Sequence, residues 1–224
     1  MKKVNPMSDV IQVNTSIWET LYSNNRSVMS YPNDPFVRIS YRLLSTEKHK
    51  KVLEIGFGSG TDMLHLLKRG FDCSGVEVSL SAIQMTQKRI QDAGYQADLR
   101  LLENGNIPFE DDQFDAVVAW QVLYYNDWES FWQIEKEIHR VLKPGGIFMG
   151  TMPSEGDISQ INSTSLGNCI YESSVPGQEG AKLLIVGRDK LSECFPGQDL
   201  RIGKYTIEFE SLVGQHWVVV YEKK

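Results

Sequence analysis

Two rhythms of apolar residues alternate along this chain. Short runs read as buried strands: KVLEI (Lys51–Ile55), then 71–78, 97–102, FDAVVAW (114–120) and 146–151. Between them, apolar residues recur at spacings of three and four, the period of a helix with one buried face. Thr61–Lys68 carries Met63, Leu64, Leu66 and Leu67, with Gly70 as its stop. A second helix starts at Ser79 or Ser81, carries Ala82, Ile83, Thr86, Ile90 and Ala93, and ends at Gly94. A third, over 128–142, carries Phe131, Ile134, Ile138, Val141 and Leu142 before Lys143-Pro-Gly-Gly breaks it. The near-continuous apolar run of FDAVVAW suits a parallel strand covered on both faces. Strand–helix alternation of this kind predicts a doubly wound, mostly parallel sheet. The end departs from it: runs over 201–209 and 216–221, separated by ESLVGQ, predict an antiparallel hairpin at the sheet edge. The expected fold class is α/β, a seven-stranded, mostly parallel sheet with a C-terminal antiparallel hairpin.

The two least regular stretches flank this pattern. Residues 1–15 read as a polar arm, and a short helix is expected from Ser16, with Ile17, Trp18, Leu21 and Tyr22 on one face. A turn-rich loop (23–35) follows, then a helix capped by Asn33 or Asp34 with Pro35 at its first position. Residues 1–45 are therefore expected to form a helical lid on a single domain spanning 46–224. Trp18, Tyr22, Tyr31 and Arg38 are candidates to touch a ligand there, against the alternative that the aromatics only pack helices onto the sheet. The stretch 152–198 is too long for a simple connection, and its first part is rich in Ser, Gly and Asn, which points to a substrate-binding insert. An apolar strand and a short helix between Leu183 and Phe195 return the chain to the core.

Composition narrows the classes. A chain of 224 residues, 41% hydrophobic and 23% charged, is long enough for one domain with a full core. Its net charge of −6 opposes bulk nucleic-acid binding. Cys73, Cys169 and Cys194 form no metal-ligand spacing and are odd in number, so reduced thiols in a cytoplasmic protein are expected. There is no run of eighteen apolar residues, no apolar stretch at the start like that of a secretory signal, and no HxH, DxD-like or Cys/His metal constellation.

The candidate chemistry centres on VLEIGFGSG (52–60), a strand followed by a turn with three glycines and the start of a helix. Such a turn brings backbone N–H groups and a positive helix end against a ligand. The spacing is G-x-G-x-G, whereas a dinucleotide fingerprint needs G-x-G-x-x-G. A Walker loop would need Gly-Lys-Ser/Thr, which is absent. Glu54 precedes the first glycine, and Glu77 closes the next apolar run. The pattern E-x-G-x-G-x-G with an acidic residue ending the second strand resembles the class I S-adenosylmethionine (SAM) methyltransferases. The Ile107-Pro108-Phe109 turn before FDAVVAW and the RVLKPGG link (140–146) strengthen that resemblance, which covers about residues 51–151.

The resemblance implies SAM as methyl donor and assigns expected roles. The backbone at Gly56, Gly58 and Gly60 would line its methionine part. Glu77 would accept hydrogen bonds from both ribose hydroxyls, and Val78 would lie against the adenine. Glu103, with Asn104 beside it, would take the place of the family's Asp at the adenine amino group. The backbone at Trp120 or Gln121 would meet the methionyl amino group. Glu54 binds the ligand region or caps the N–H groups of the turn.

A sulfonium methyl is a good leaving group, so positioning can supply much of the catalysis, and a general base helps for alcohols and amides. The family's frequent His pair after the fourth strand is replaced by Tyr124 and Tyr125. His216 and Tyr124 are then the catalytic candidates, with Trp18, Tyr22, Tyr31 and Tyr125 as substrate contacts. The leading expectation is transfer to an O or N atom of a small, polar metabolite by in-line displacement. Alternatives are a methyltransferase of protein or RNA, a non-enzymatic SAM-binding module, and, opposed by the glycine spacing, a nicotinamide oxidoreductase.

Overall fold

The computed structural model describes residues 9–224. In chain order the elements are α1 (Asp9–Ser23), α2 (Asp34–Leu43), β1 (Lys51–Ile55), α3 (Thr61–Lys68), β2 (Asp72–Glu77), α4 (Leu80–Asp92), β3 (Asp98–Leu101), β4 (Phe114–Ala119), α5 (Trp128–Val141) and β5 (Leu142–Pro153). Then come α6 (Ile158–Ile161), β6 (Ser163–Gly167), β7 (Ile170–Ser173), β8 (Lys182–Leu184), α7 (Leu191–Cys194), β9 (Arg201–Phe209) and β10 (Leu212–Glu222). The main sheet has seven strands in the order β3-β2-β1-β4-β5-β10-β9. β10 pairs antiparallel with both β5 and β9, so it alone runs against the others. This is the doubly wound sheet with a terminal hairpin that the alternation predicts.

Period two in the strands divides the core between the two faces. Along β4, Phe114, Val117 and Ala119 join Phe131, Ile134 and Ile138 of α5 on one face. Ala116 and Val118, followed by Trp120, join Phe36 of α2 and Met63 and Leu66 of α3 on the other. The reversal of strand order between β1 and β4 opens a crevice at their C-terminal ends, where ligands of open α/β sheets bind. The glycine turn, the end of β2 and the end of β4 all reach it.

Three elements differ from expectation. α1 begins at Asp9 rather than Ser16. The buried face of the extra turns carries Asn14, whose side-chain amide donates to the carbonyls of Tyr125 (3.0 Å) and Lys182 (2.9 Å) and accepts from Lys182 N–H (2.9 Å). A polar side chain that serves the edge of a strand is invisible to an apolar count. Residues 9–15 of the expected arm are thus helical, and its residues 1–8 lie outside the described ones. The polar insert contains a separate three-stranded sheet, β6-β7-β8. The terminal hairpin turns within Glu210 and Ser211, because β10 starts at Leu212 and pairs it with Phe209. No helix among the described residues is long and apolar enough to cross a membrane.

Candidate active site

The turn after β1 places Gly56, Gly58 and Gly60 at φ +66°, +50° and +74°, left-handed values that L side chains rarely adopt. A Cβ at Gly56 would lie 2.3 Å from Val122 Cγ2, and one at Gly58 would lie 2.3 Å from the Tyr22 hydroxyl. The turn thus admits the end of β4 on one side and α1 on the other.

Three carboxyl groups surround it. Glu77 Oε2 accepts from Gly58 N–H (3.0 Å), while Oε1 accepts from Val78 N–H (2.7 Å) and Ser79 N–H (3.1 Å). Burial raises its pKa, and these N–H groups oppose the rise. Glu54 is 3% exposed, and its Oε2 has no hydrogen-bond partner. The cap of the turn is therefore Glu77, not Glu54. Burial first, then Asp62 and Glu77, push the Glu54 pKa well above the ordinary carboxyl range. Asp62, in the first turn of α3, is pushed up to about 6 by burial, against the Asn33 N–H that it accepts at 2.8 Å. Among the described residues, no ion pair reaches any of the three. Buried acids without cations form a receptor for positive charge.

Two cavities meet at this point. The first, about 360 Å³, is lined by Gly56, Glu77, Val78, Glu103 and Asn104, and by Ile11, Asn14 and Thr15 of α1. The second, about 560 Å³, is lined by Glu54, Gly58, Asp62, Tyr31, Trp120, Tyr124 and His216, and by Asp157, Ser159 and Gln178 of the insert. Trp18, Tyr22, Gly56, Gln121 and Tyr125 line both. Gly60 lines neither: a Cβ there would lie 2.4 Å from Thr86 Cγ2, so this glycine seats α3 against α4.

The walls are held from several elements. Gln121 leaves β4 at φ +55°, its N–H donating to Thr151 Oγ1 (2.8 Å) and its side chain to the Tyr205 hydroxyl (3.2 Å). A non-glycine residue in that region stores strain of about 1–3 kcal/mol, a feature concentrated at functional sites. Tyr205 stacks between Trp120 (5.9 Å) and His216 (5.3 Å). Trp18 meets Tyr125 edge-on at 4.8 Å, and the Tyr125 hydroxyl donates to Gln178 Oε1 at 3.1 Å. α1 is anchored at its far end by Glu19, which accepts from Ser79 Oγ (2.7 Å), Ser81 N–H (3.2 Å) and Ser81 Oγ at the start of α4.

Sequence reasoning missed Asn14, Asp62 and Asp157. Asp62 had a signal, an acid in the first turn of the helix behind the glycines. Asn14 and Asp157 had none.

A family model described as a methyltransferase domain matches residues 52–146. YdaC of Bacillus subtilis, described as an uncharacterized methyltransferase, is 30% identical over 145 residues, covering 62% of this chain and 77% of that protein. The chain belongs to the class I SAM-dependent methyltransferases. Its methyl donor is SAM, and the buried acid cluster with an unpartnered Glu54 oxygen fits a ligand that carries a sulfonium and an ammonium. A demethylmenaquinone methyltransferase of Tropheryma whipplei is 27% identical over 126 residues, 56% of this methyltransferase, which spans only about half of it, 51%. The fold is also that of a 1,6-didemethyltoxoflavin-N1-methyltransferase from Burkholderia thailandensis, whose structure holds 1,6-didemethyltoxoflavin and S-adenosylhomocysteine. The TM-score is 0.72 at 15% identity, over 100% of this methyltransferase and 93% of that chain.

Proposed function

We propose that this methyltransferase moves the SAM methyl group to an oxygen or nitrogen of a small polar molecule held in the second cavity. The observation that carries this reading is the junction of the two cavities at Trp18, Tyr22, Gly56, Gln121 and Tyr125. One cavity has the acidic strand end and Gly56, which suit the donor's nucleoside, while Glu54, Gly58 and Asp62, which suit its methionine part, line the other. The other, about 560 Å³, falls in the range of roughly 300–1,000 Å³ that small-molecule sites occupy. Its walls mix aromatic rings with Ser159, Asn162 and Gln178, which suits a ring or chain bearing hydroxyl or amino groups.

In this reading Glu77 takes the ribose hydroxyls, Val78 the adenine face, and Glu103 with Asn104 the adenine edge. The backbone at Gly56, Gly58 and Gln121, with Glu54, takes the methionine part. Trp18, Tyr22, Tyr31 and Tyr125 enclose the acceptor, and their π-faces attract the cationic centre. SAM supplies an activated methyl. The chain's contribution is to hold the two reactants in line, exclude water beneath α1 and the loop that follows it, and supply negative charge where the donor is positive. Residues 9–45 act as the lid of a single domain. The free cysteines, of which Cys73 and Cys194 are buried, favour a reducing, cytoplasmic setting.

The test is incubation with methyl-labelled SAM and a cell extract, followed by separation into small-molecule, protein and nucleic-acid fractions. Label in the small-molecule fraction is expected. Label confined to protein or RNA would overturn the acceptor class, and SAM binding with no transfer to any fraction would count against catalysis of this kind.

A further inference from the structure

His216 is an anomaly among the buried polar groups. It is 6% exposed, lines the second cavity, and neither ring nitrogen has a hydrogen-bond partner. A buried histidine that only packs ordinarily satisfies at least one nitrogen. Here the ring is instead fixed by stacking. β10 pairs His216 with Tyr205 of β9, whose ring lies parallel at 5.3 Å and 11°. Tyr124 approaches from the end of β4 at 5.9 Å.

Asp157 stands behind it. The residue is completely buried, and its Oδ2 lies 3.7 Å from His216 Nδ1. That is beyond a hydrogen bond but within ion-pair range. The carboxyl group cannot swing away, because Oδ2 accepts from Gln215 N–H (2.6 Å) and Oδ1 accepts from Ser159 N–H (2.8 Å) at the start of α6. An aspartate so placed does little for a neutral imidazole and much for a charged one. We propose that His216, oriented by Asp157, is the base that takes the proton of the methyl acceptor. The acceptor is then a group that keeps its proton at neutral pH, an alcohol, phenol or amide-type N–H, rather than a preformed anion. The inference rests on the reading of the second cavity as the acceptor site.

The step balances within the site. A lone pair of the acceptor's oxygen or nitrogen forms the bond to the methyl carbon. The carbon–sulfur pair leaves with sulfur, and the acceptor proton passes to Nε2 of His216, the ring nitrogen that does not face Asp157. The positive charge lost at sulfur reappears on the imidazole, beside Asp157. Burial lowers the proton affinity of the ring, and Asp157 opposes that, so the free site holds a neutral base. The other titratable groups facing the ring are the phenols of Tyr124 and Tyr205.

The test has two arms. Label transfer from methyl-labelled SAM into the small-molecule fraction should fall about 100-fold in His216→Gln at pH 7, the usual scale of lost general-base catalysis. If the acceptor is a phenol, it should recover towards wild type at high pH, where a phenol ionises unaided. SAM affinity by calorimetry should stay within about twofold, which shows that the variant is folded. Transfer at the wild-type rate would overturn the assignment. The second arm needs no acceptor: the His216 ring is titrated by NMR in wild type and in Asp157→Asn, which keeps the size of the side chain and an oxygen for one of the two N–H groups it accepts from. The ring pKa should drop in the variant, and an unmoved titration would overturn the pairing. A responsive titration in a wild type that labels no small molecule would support the pairing and reject the acceptor reading.

Discussion

At the scale of single residues, Glu77 has the most to do. In the free site its carboxylate is satisfied by three backbone N–H groups, which fix it at the end of β2 with its oxygens turned into the first cavity's wall. Its two oxygens suit two hydroxyl donors. Glu77→Ala removes hydrogen bonds to a charged group, each worth about 1.5–3 kcal/mol, so SAM affinity should fall at least tenfold by calorimetry. The same affinity in a variant that still melts cooperatively would remove Glu77 from the donor site. This carboxylate and the glycine turn were legible in the sequence for a physical reason. Left-handed turn positions demand glycine, and an acid at the end of the next strand is a fixed distance along the chain. The pairing of His216 with Asp157 was not. It depends on β10 lying beside β5, so that the segment after β5 returns to the start of β10, and nothing local in PSEGD records it.

At the scale of elements, α1 is the proposed lid. It lines the first cavity and is tied at two points along its length, by Asn14 to the loop after β4 and to β8, and by Glu19 to the start of α4. Glu19 is held below its ordinary pKa, chiefly by the Ser81 and Ser79 hydroxyls. Losing an anchor worth about 1.5 kcal/mol corresponds to roughly tenfold. Glu19→Ala should therefore release SAM about tenfold faster in stopped-flow displacement, with the fold intact. An unchanged release rate would mean that α1 does not gate the donor. The strands and helices between 51 and 151 could be read because their periodicity is apolar. The first turns of α1 and the small sheet β6-β7-β8 could not, because polar side chains make their contacts. β6 in particular is largely exposed, so no apolar alternation marks it.

For the whole molecule, buried acid sets the pH dependence. Glu135 of α5 is 6% exposed, meets the Tyr221 hydroxyl at 3.4 Å, and is pushed up to about 7 by burial. A carboxyl whose folded pKa exceeds its unfolded value near 4.5 stabilises below 4.5, and that contribution is lost as pH rises through about 7. Glu135→Gln should flatten the fall in melting temperature between those limits, and an unaltered slope would assign the effect elsewhere. Donor binding adds a second linkage. Asp62, pushed up to about 6 by burial, and Glu54, raised well above the ordinary range by burial and by its acidic neighbours, favour the protonated form in the free site more than ordinary carboxyl groups do. A cationic ligand reverses that preference, lowering both pKa values and expelling protons as it binds. SAM affinity should then rise as pH increases through about 6, the free-site value of Asp62. Calorimetry at that pH in two buffers of different ionisation enthalpy measures the released protons directly, and Asp62→Asn should reduce their number. Binding enthalpies that are identical in the two buffers would show that the acid cluster is already ionised and that its charge is balanced by something other than the methyl donor.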